Sequence, residues 1–138
     1  MKDVNLDSVD ITPAVEVKPY TGFFPKNVFD GLNFFYTLPR INTHLWIMTY
    51  SVSTCMERFL NIDRLLYSVG ESNVKNKRKL QKIHTKLFIV LHKNKPFAAY
   101  VGSQNFVAPT TENIMVKLPK SDNKFAVDYF LHYWNQAK

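Results

Sequence analysis

The chain has 138 residues, one domain's worth, and its 46% hydrophobic and 14% aromatic content is ample for a packed core. Lys and Arg number 18 against 11 Asp and Glu, a formal charge of +7 that favours polyanionic partners and is silent about fold. One cysteine, Cys55, excludes an internal disulfide, and no apolar run is long enough to span a bilayer.

The start, Met1–Asp10, carries Asp3, Asp7 and Asp10 and does not read as a secretory signal, so a cytoplasmic protein without a membrane partner is expected. Residues 1–19, broken by Pro13 and Pro19, predict an arm or edge strand ahead of a domain over 20–138. Phe23, Phe24, Phe29, Phe34, Phe35 and Tyr36 follow, with a short helix predicted over Val28–Leu38. Aromatic side chains this dense predict core and dimer packing ahead of base stacking.

His44–Tyr50 is a short apolar and aromatic run that suits a buried strand. Ser51 to Thr54 can cap a short helix over Met56–Asn61, and Arg64–Val69 predicts a second strand closed by Gly70. Lys75, Lys77, Arg78 and Lys79, with Lys82 beyond, form a basic connector, either a solvated face or a set of phosphate contacts. Strands are predicted over Ile83–Leu91, Pro96–Val101 and Ile114–Leu118. An amphipathic helix over Asn123–Gln136 puts Phe125, Tyr129, Phe130, Tyr133 and Trp134 on one broad face. Strands with helices at both ends predict an α/β fold, a mixed sheet flanked by helices.

The hairpin from Ile83 to Phe106 carries the chemistry. A four-residue loop at His92–Lys95 sets Leu91 opposite Pro96, Lys86 opposite Val101 and His84 opposite Ser103. His84, Lys86, Ser103 and Asn105 then share one face of two adjacent strands. An imidazole that can attack phosphorus or donate a proton, beside an ammonium and an amide that can hold charged oxygens, suits phosphoryl transfer. His44, His92 and His132 have no metal-binding spacing, so no metal is assigned, and there is no phosphate-binding glycine loop. Ser51 and Ser53 lack the G-x-S-x-G setting of a serine hydrolase.

His84-Thr-Lys86 followed by Gly102-Ser-Gln-Asn105 resembles the H-x-K-x4-D and G-S-x-N pattern of the phospholipase D superfamily. Trp46–Ser51, Thr111–Val116 and Phe130–Gln136 are similar to segments of its small bacterial endonucleases, so the resemblance covers most of residues 44–136. It implies a phospholipase D-like sandwich, no cofactor, and catalytic roles for His84, Lys86, Ser103 and Asn105, with Glu112 orienting the histidine. Two departures stand out. Leu91 occupies the motif's Asp position, mainly structural in this family, and the stretch between Tyr50 and His84 is shorter than in those endonucleases.

The superfamily's mechanism uses two motifs, and this chain holds one. The resemblance therefore implies a homodimer in which two His84 residues serve as nucleophile and general acid. A metal-independent, non-specific nuclease is the first expectation, with DNA ahead of RNA. The alternatives are a catalytically weak or inactive dimer that binds nucleic acid or a protein, motivated by Leu91, and, third, a lipid phosphodiesterase.

Overall fold

The computed structural model describes residues 14–17, 22–25, 27–38, 43–54, 60–108 and 113–138. Of the arm or edge strand expected over residues 1–19 only 14–17 are described, and the expected helix over 56–61 up to residue 59, Cys55 and Glu112 lie outside the described residues. Nine strands and two α-helices are seen among the described residues: β1 (Ala14–Val17), β2 (Gly22–Pro25), β3 (Val28–Asp30), α1 (Gly31–Thr37), β4 (Thr43–Val52), β5 (Ile62–Gly70), β6 (Lys77–Lys79), β7 (Lys86–His92), β8 (Lys95–Gly102), β9 (Ile114–Lys117) and α2 (Asn123–Trp134). Strands β1 and β2 pair with each other. The other seven form one mixed sheet in the order β3-β9-β8-β7-β4-β5-β6. The ladders β4–β5 and β5–β6 are parallel and the rest antiparallel.

Each helix covers one face of that sheet, because strand side chains alternate and both sets of positions are apolar. On one face Phe34, Phe35 and Leu38 pack with Leu45 and Ile47 of β4, Phe88 and Val90 of β7, and Tyr100 of β8. Phe34 meets Phe88 and Tyr100 edge-on at 5.1 and 5.2 Å, and Phe35 meets Phe106 at 6.0 Å. On the other face Ala126, Phe130 and Trp134 of α2 pack with Met48, Leu66, Leu87, Ile89, Leu91 and Ala99. Burying side chains such as Phe130 and Trp134 stabilises by about 1.5–3 kcal/mol each. Among the described residues no helix is long and apolar enough to cross a membrane.

The α/β class, the central strands and the closing helix agree with the sequence reading, and four details differ. The helix expected from Val28 begins at Gly31, because Val28–Asp30 pair with β9 as an edge strand. The basic connector contains a strand: Lys77, Arg78 and Lys79 run parallel to Leu65, Leu66 and Tyr67. The β7–β8 loop has two residues, Lys93 and Asn94, both at positive φ (50° and 63°), while His92 pairs with Lys95. Two consecutive positive φ angles match the twist of a tight hairpin.

The fourth difference is register. Leu91 pairs with Pro96 as expected, but Val90 pairs with Ala98, so Phe97 is an extra, bulged residue. Lys86 is consequently opposite Gly102 rather than Val101. One bulge reverses which β8 residues share a face with Lys86, a change that no property of the local sequence announces.

Gly102 sits where β9 comes closest to β8. A Cβ built there would lie 2.0 Å from the Ile114 carbonyl oxygen and 2.8 Å from the Met115 sulfur. Both β8 and β9 are held by ladder hydrogen bonds, so neither backbone can withdraw without losing them. Gly102→Ala should therefore destabilise by about 1–3 kcal/mol, the usual cost of overpacking, measured by urea unfolding. Unchanged stability would mean that β9 can move aside.

Candidate functional site

The C-terminal end of β4 organises the site. Tyr50 stacks on the imidazole of His84, with ring centroids 4.6 Å apart and planes 8° from parallel. The Lys86 ammonium lies 5.9 Å from the centroid of the same Tyr50 ring. The backbone N–H groups of Tyr50 and Ser51 both donate to Asn105 Oδ1, each at 3.2 Å. Three of the residues singled out from sequence thus converge on one tyrosine.

Asn105 is held in a defined orientation. Backbone N–H groups only donate, so the atom they meet must be the amide oxygen. The Thr49 hydroxyl lies 3.1 Å from Oδ1 and 3.0 Å from the Ser51 carbonyl, and it accepts the Phe106 N–H at 3.0 Å. Thr49 is fully buried, as is Phe106. With its oxygen engaged, Asn105 has its NH2 group to offer as a donor. The residue before it, Gln104, is buried and ties the turn together by donating to the carbonyls of Asn105 (2.7 Å) and Val107 (3.2 Å).

His84 belongs to no strand. It projects from the segment between the turn at Lys82 (φ 63°) and the start of β7. That segment is held from β5 by Ser68, a buried hydroxyl that donates to the Leu80 carbonyl at 2.6 Å and accepts the Ile83 N–H at 2.9 Å. Ile83 is buried beside α2, while His84 is exposed. The neighbouring Thr85 hydroxyl bonds the Tyr129 hydroxyl at 2.9 Å.

The expected four-residue face is thus corrected. His84 and Lys86 converge with Asn105, but through the end of β4 and not as cross-strand neighbours on one hairpin. Ser103 lies past the end of β8 and bonds β9: its N–H donates to the Ile114 carbonyl at 2.9 Å and its hydroxyl accepts the Ile114 N–H at 3.0 Å. In this chain the Gly-Ser pair fastens β8 to β9, and only the asparagine of the motif reaches the end of β4. Glu112, two residues before Ile114 in the chain, lies outside the described residues.

The basic run is also revised. Lys75, Lys79 and Lys82 are exposed. The Lys77 ammonium donates to the Ser72 carbonyl. Arg78 turns onto α2: it donates to the Trp134 carbonyl at 2.9 Å, and its guanidinium lies 4.5 Å from the Trp134 ring centroid. Arg64 lies 5.4 Å from that ring and 4.4 Å from Trp46. Arg78 therefore contributes to the packing of α2 through cation–π contact and a charge-assisted bond.

Leu91, in the motif's Asp position, is buried in the α2-side core at the far end of β7, about 17 Å along the strand from Lys86. The residue that sequence reasoning missed is Tyr50. Its only signal was its place at the end of the apolar run before Ser51, which marks a strand end and not a contact with a histidine 34 positions later.

Comparison with known proteins bears on the family and the fold. A family model described as the NgoFVII restriction endonuclease N-terminal PLD domain matches residues 52–137. The crystal structure of a phospholipase D family member, Nuc from Salmonella typhimurium, superposes with a TM-score of 0.50. That match covers 80% of this chain and 95% of Nuc at 16% identity, which establishes a shared fold. No curated protein matches the sequence significantly.

The Ser68 clamp is testable on its own. Ser68→Ala leaves the buried Ile83 N–H and the Leu80 carbonyl without their partner, a loss of about 1–3 kcal/mol. Amide exchange at Ile83 should accelerate in the variant, whereas exchange in β4 should change only as much as global stability does. Unaltered exchange at Ile83 would show that the His84 segment is held by other contacts.

Proposed function

Since the chain belongs to the phospholipase D-like family of the NgoFVII restriction endonuclease N-terminal domain, we propose that it is a metal-independent phosphodiesterase, a non-specific nuclease that works as a homodimer. The observation that carries this reading is the convergence of His84, Lys86 and Asn105 on Tyr50, with the asparagine oxygen engaged and its NH2 group left to donate. An exposed imidazole, an ammonium and an oriented amide are the groups a phosphodiester needs: a nucleophile and two stabilisers of non-bridging oxygens.

In this mechanism an imidazole nitrogen of His84 attacks phosphorus and forms an N–P bond. The bond from phosphorus to the leaving oxygen breaks, and His84 of a second copy protonates that oxygen. The same second histidine then takes a proton from water, whose oxygen attacks phosphorus and releases the first His84. Lys86 and Asn105 of both copies hold the equatorial oxygens throughout. Tyr50 presents its π face to His84, which favours the imidazole when it carries positive charge in the N-phosphorylated state. Ser103 supports the site by fixing β9, and Glu112 remains the candidate for orienting His84. Lys75, Lys79 and Lys82 supply positive charge for DNA, or for RNA. The placement of Leu91 among packing residues supports the catalytic reading over an inactive dimer, because its departure from the motif falls far from Lys86.

His84→Ala should abolish turnover and leave the fold intact, because the side chain is exposed and the substitution removes nucleophile and general acid together. Single-turnover cleavage of plasmid DNA and of RNA in chelator, beside a thermal melt, is the measurement. Equal cleavage by wild type and His84→Ala would refute the assignment, and activity that vanishes in chelator and returns with magnesium would refute the phosphohistidine route.

Asn105→Asp separates positioning from catalysis. A carboxylate still accepts the Tyr50 and Ser51 N–H bonds, so the melt should shift little. Loss of the NH2 donor and gain of a negative charge beside phosphate should slow cleavage by at least ~100-fold, the usual effect of deleting one transition-state donor. Near-normal turnover in Asn105→Asp would show that the amide does not touch the phosphoryl group.

The surface lysines have a separate test. Neutralising Lys75, Lys79 and Lys82 should weaken binding to all sequences alike and flatten the salt dependence by about one unit per lost phosphate contact. Arg78→Gln should instead lower the melting temperature, since it removes contacts to Trp134.

A further inference from the structure

Beside His84 lies a pocket of about 130 Å³ whose aromatic lining has no part in the proposed chemistry. Leu80, Lys82, His84, Thr85, Tyr129 and Tyr133 are among the residues that line it, and among the described residues no carboxylate does. From this pocket an aromatic row runs along α2. Tyr133 and Tyr129 have ring centroids 5.1 Å apart, and Tyr129 and Phe125 are 6.1 Å apart. The three residues are spaced four apart, so they form one stripe of the helix, distinct from the buried stripe of Ala126, Phe130 and Trp134. The row opens progressively to solvent: Tyr129 and Tyr133 are half-buried, and Phe125 is 67% exposed.

We propose that this row and pocket bind the unpaired bases of a single-stranded nucleic acid, whose backbone runs past Lys82 to His84. Three observations favour that occupant. The pocket is continuous with the candidate nucleophile, so a strand lying on the row delivers a phosphate to His84. Its charge is complementary, with Lys82 in the lining and the helix carboxylate Asp128 paired with Lys124 at 2.7 Å on the exposed surface. The successive rings lie 5–6 Å apart with planes tilted by 59° and 36°, so each offers its own face to one unpaired base, and such stacking is tolerant of sequence. In a duplex those base faces are already covered by their neighbours, so the row cannot stack on them without unpairing. The Thr85–Tyr129 hydroxyl bond holds the middle ring against the segment that carries His84, which couples the base row to the phosphate site.

The assignment of this strand as substrate rests on the phosphodiesterase reading, whereas its binding does not. The test is fluorescence anisotropy of the full chain with a labelled oligothymidylate of about 12 nucleotides and with a duplex of the same length, probe integrity being checked on a gel. Wild type should bind the single strand more tightly than the duplex. Phe125→Ala, at an exposed position that leaves the core untouched, should weaken single-strand binding by about tenfold, and Phe125→Tyr should restore it. The salt slope of Phe125→Ala should match wild type, because no charge is lost, whereas Lys82→Ala should flatten it by about one unit.

Equal single-strand affinity in wild type, Phe125→Ala and Tyr133→Ala would overturn the proposal, as would equal losses on duplex and single strand. Conversion of a dimer to a monomer by Phe125→Ala, seen by light scattering, would also overturn it by making the row a contact between copies. Tight binding to the single strand that depends on Phe125, without cleavage by wild type, would leave the base row standing and refute the phosphodiesterase reading instead.

Discussion

The site depends on one hydrogen-bonded junction, the acceptance of the Tyr50 and Ser51 N–H groups by Asn105 Oδ1. At the end of a strand, backbone donors that leave the ladder must find another acceptor, and an unpaired one is costly when buried. Asn105 meets that requirement for β4 and is itself oriented by doing so. The buried Thr49 hydroxyl secures the same corner from below by accepting the Phe106 N–H. Tyr50, placed by this junction, then carries His84 on its ring and has Lys86 within reach of its π face. Structural satisfaction of β4 and orientation of the chemical groups are therefore the same set of bonds.

A second constraint comes from the outer strands. The Gly-Ser pair at 102 and 103 lets β9 approach closely and then bonds it in both directions at Ile114. The Ser68 hydroxyl does the equivalent task on the other side, holding Leu80 and Ile83 so that His84 is presented from a short, anchored segment. Both clamps are made of small side chains bonded to backbone, which lose little conformational entropy on ordering. The histidine is exposed while the segment that carries it is held by Ser68.

The two faces of the sheet have different roles. The α1 face is an aromatic core of edge-on contacts centred on Phe34, Phe88 and Tyr100. The α2 face divides its aromatic side chains between a buried stripe and the open row, and the buried stripe recruits Arg64 and Arg78 to Trp46 and Trp134. A helix that is aromatic on more than one stripe has more apolar surface than its sheet can cover. The uncovered part borders the pocket beside His84.

The sequence by itself determined the fold class and the central strands, and it singled out the histidine, lysine and asparagine that the structure brings to one tyrosine. Apolar periodicity and a motif of widely spaced polar residues are properties of the chain that survive any uncertainty in register. Only the tertiary structure decided how those residues meet. The bulge at Phe97 shifts Lys86 from Val101 to Gly102, and a bulge answers to packing and twist across the whole sheet rather than to the residues beside it. Tyr50 and Ser68 were illegible for the same reason: each acts on residues 12 to 55 positions away, through contacts that exist only once β4, β5, β7 and β8 are assembled. Arg78 reads as a surface cation in any local window, and its place over Trp134 required α2 to fold back across the sheet edge.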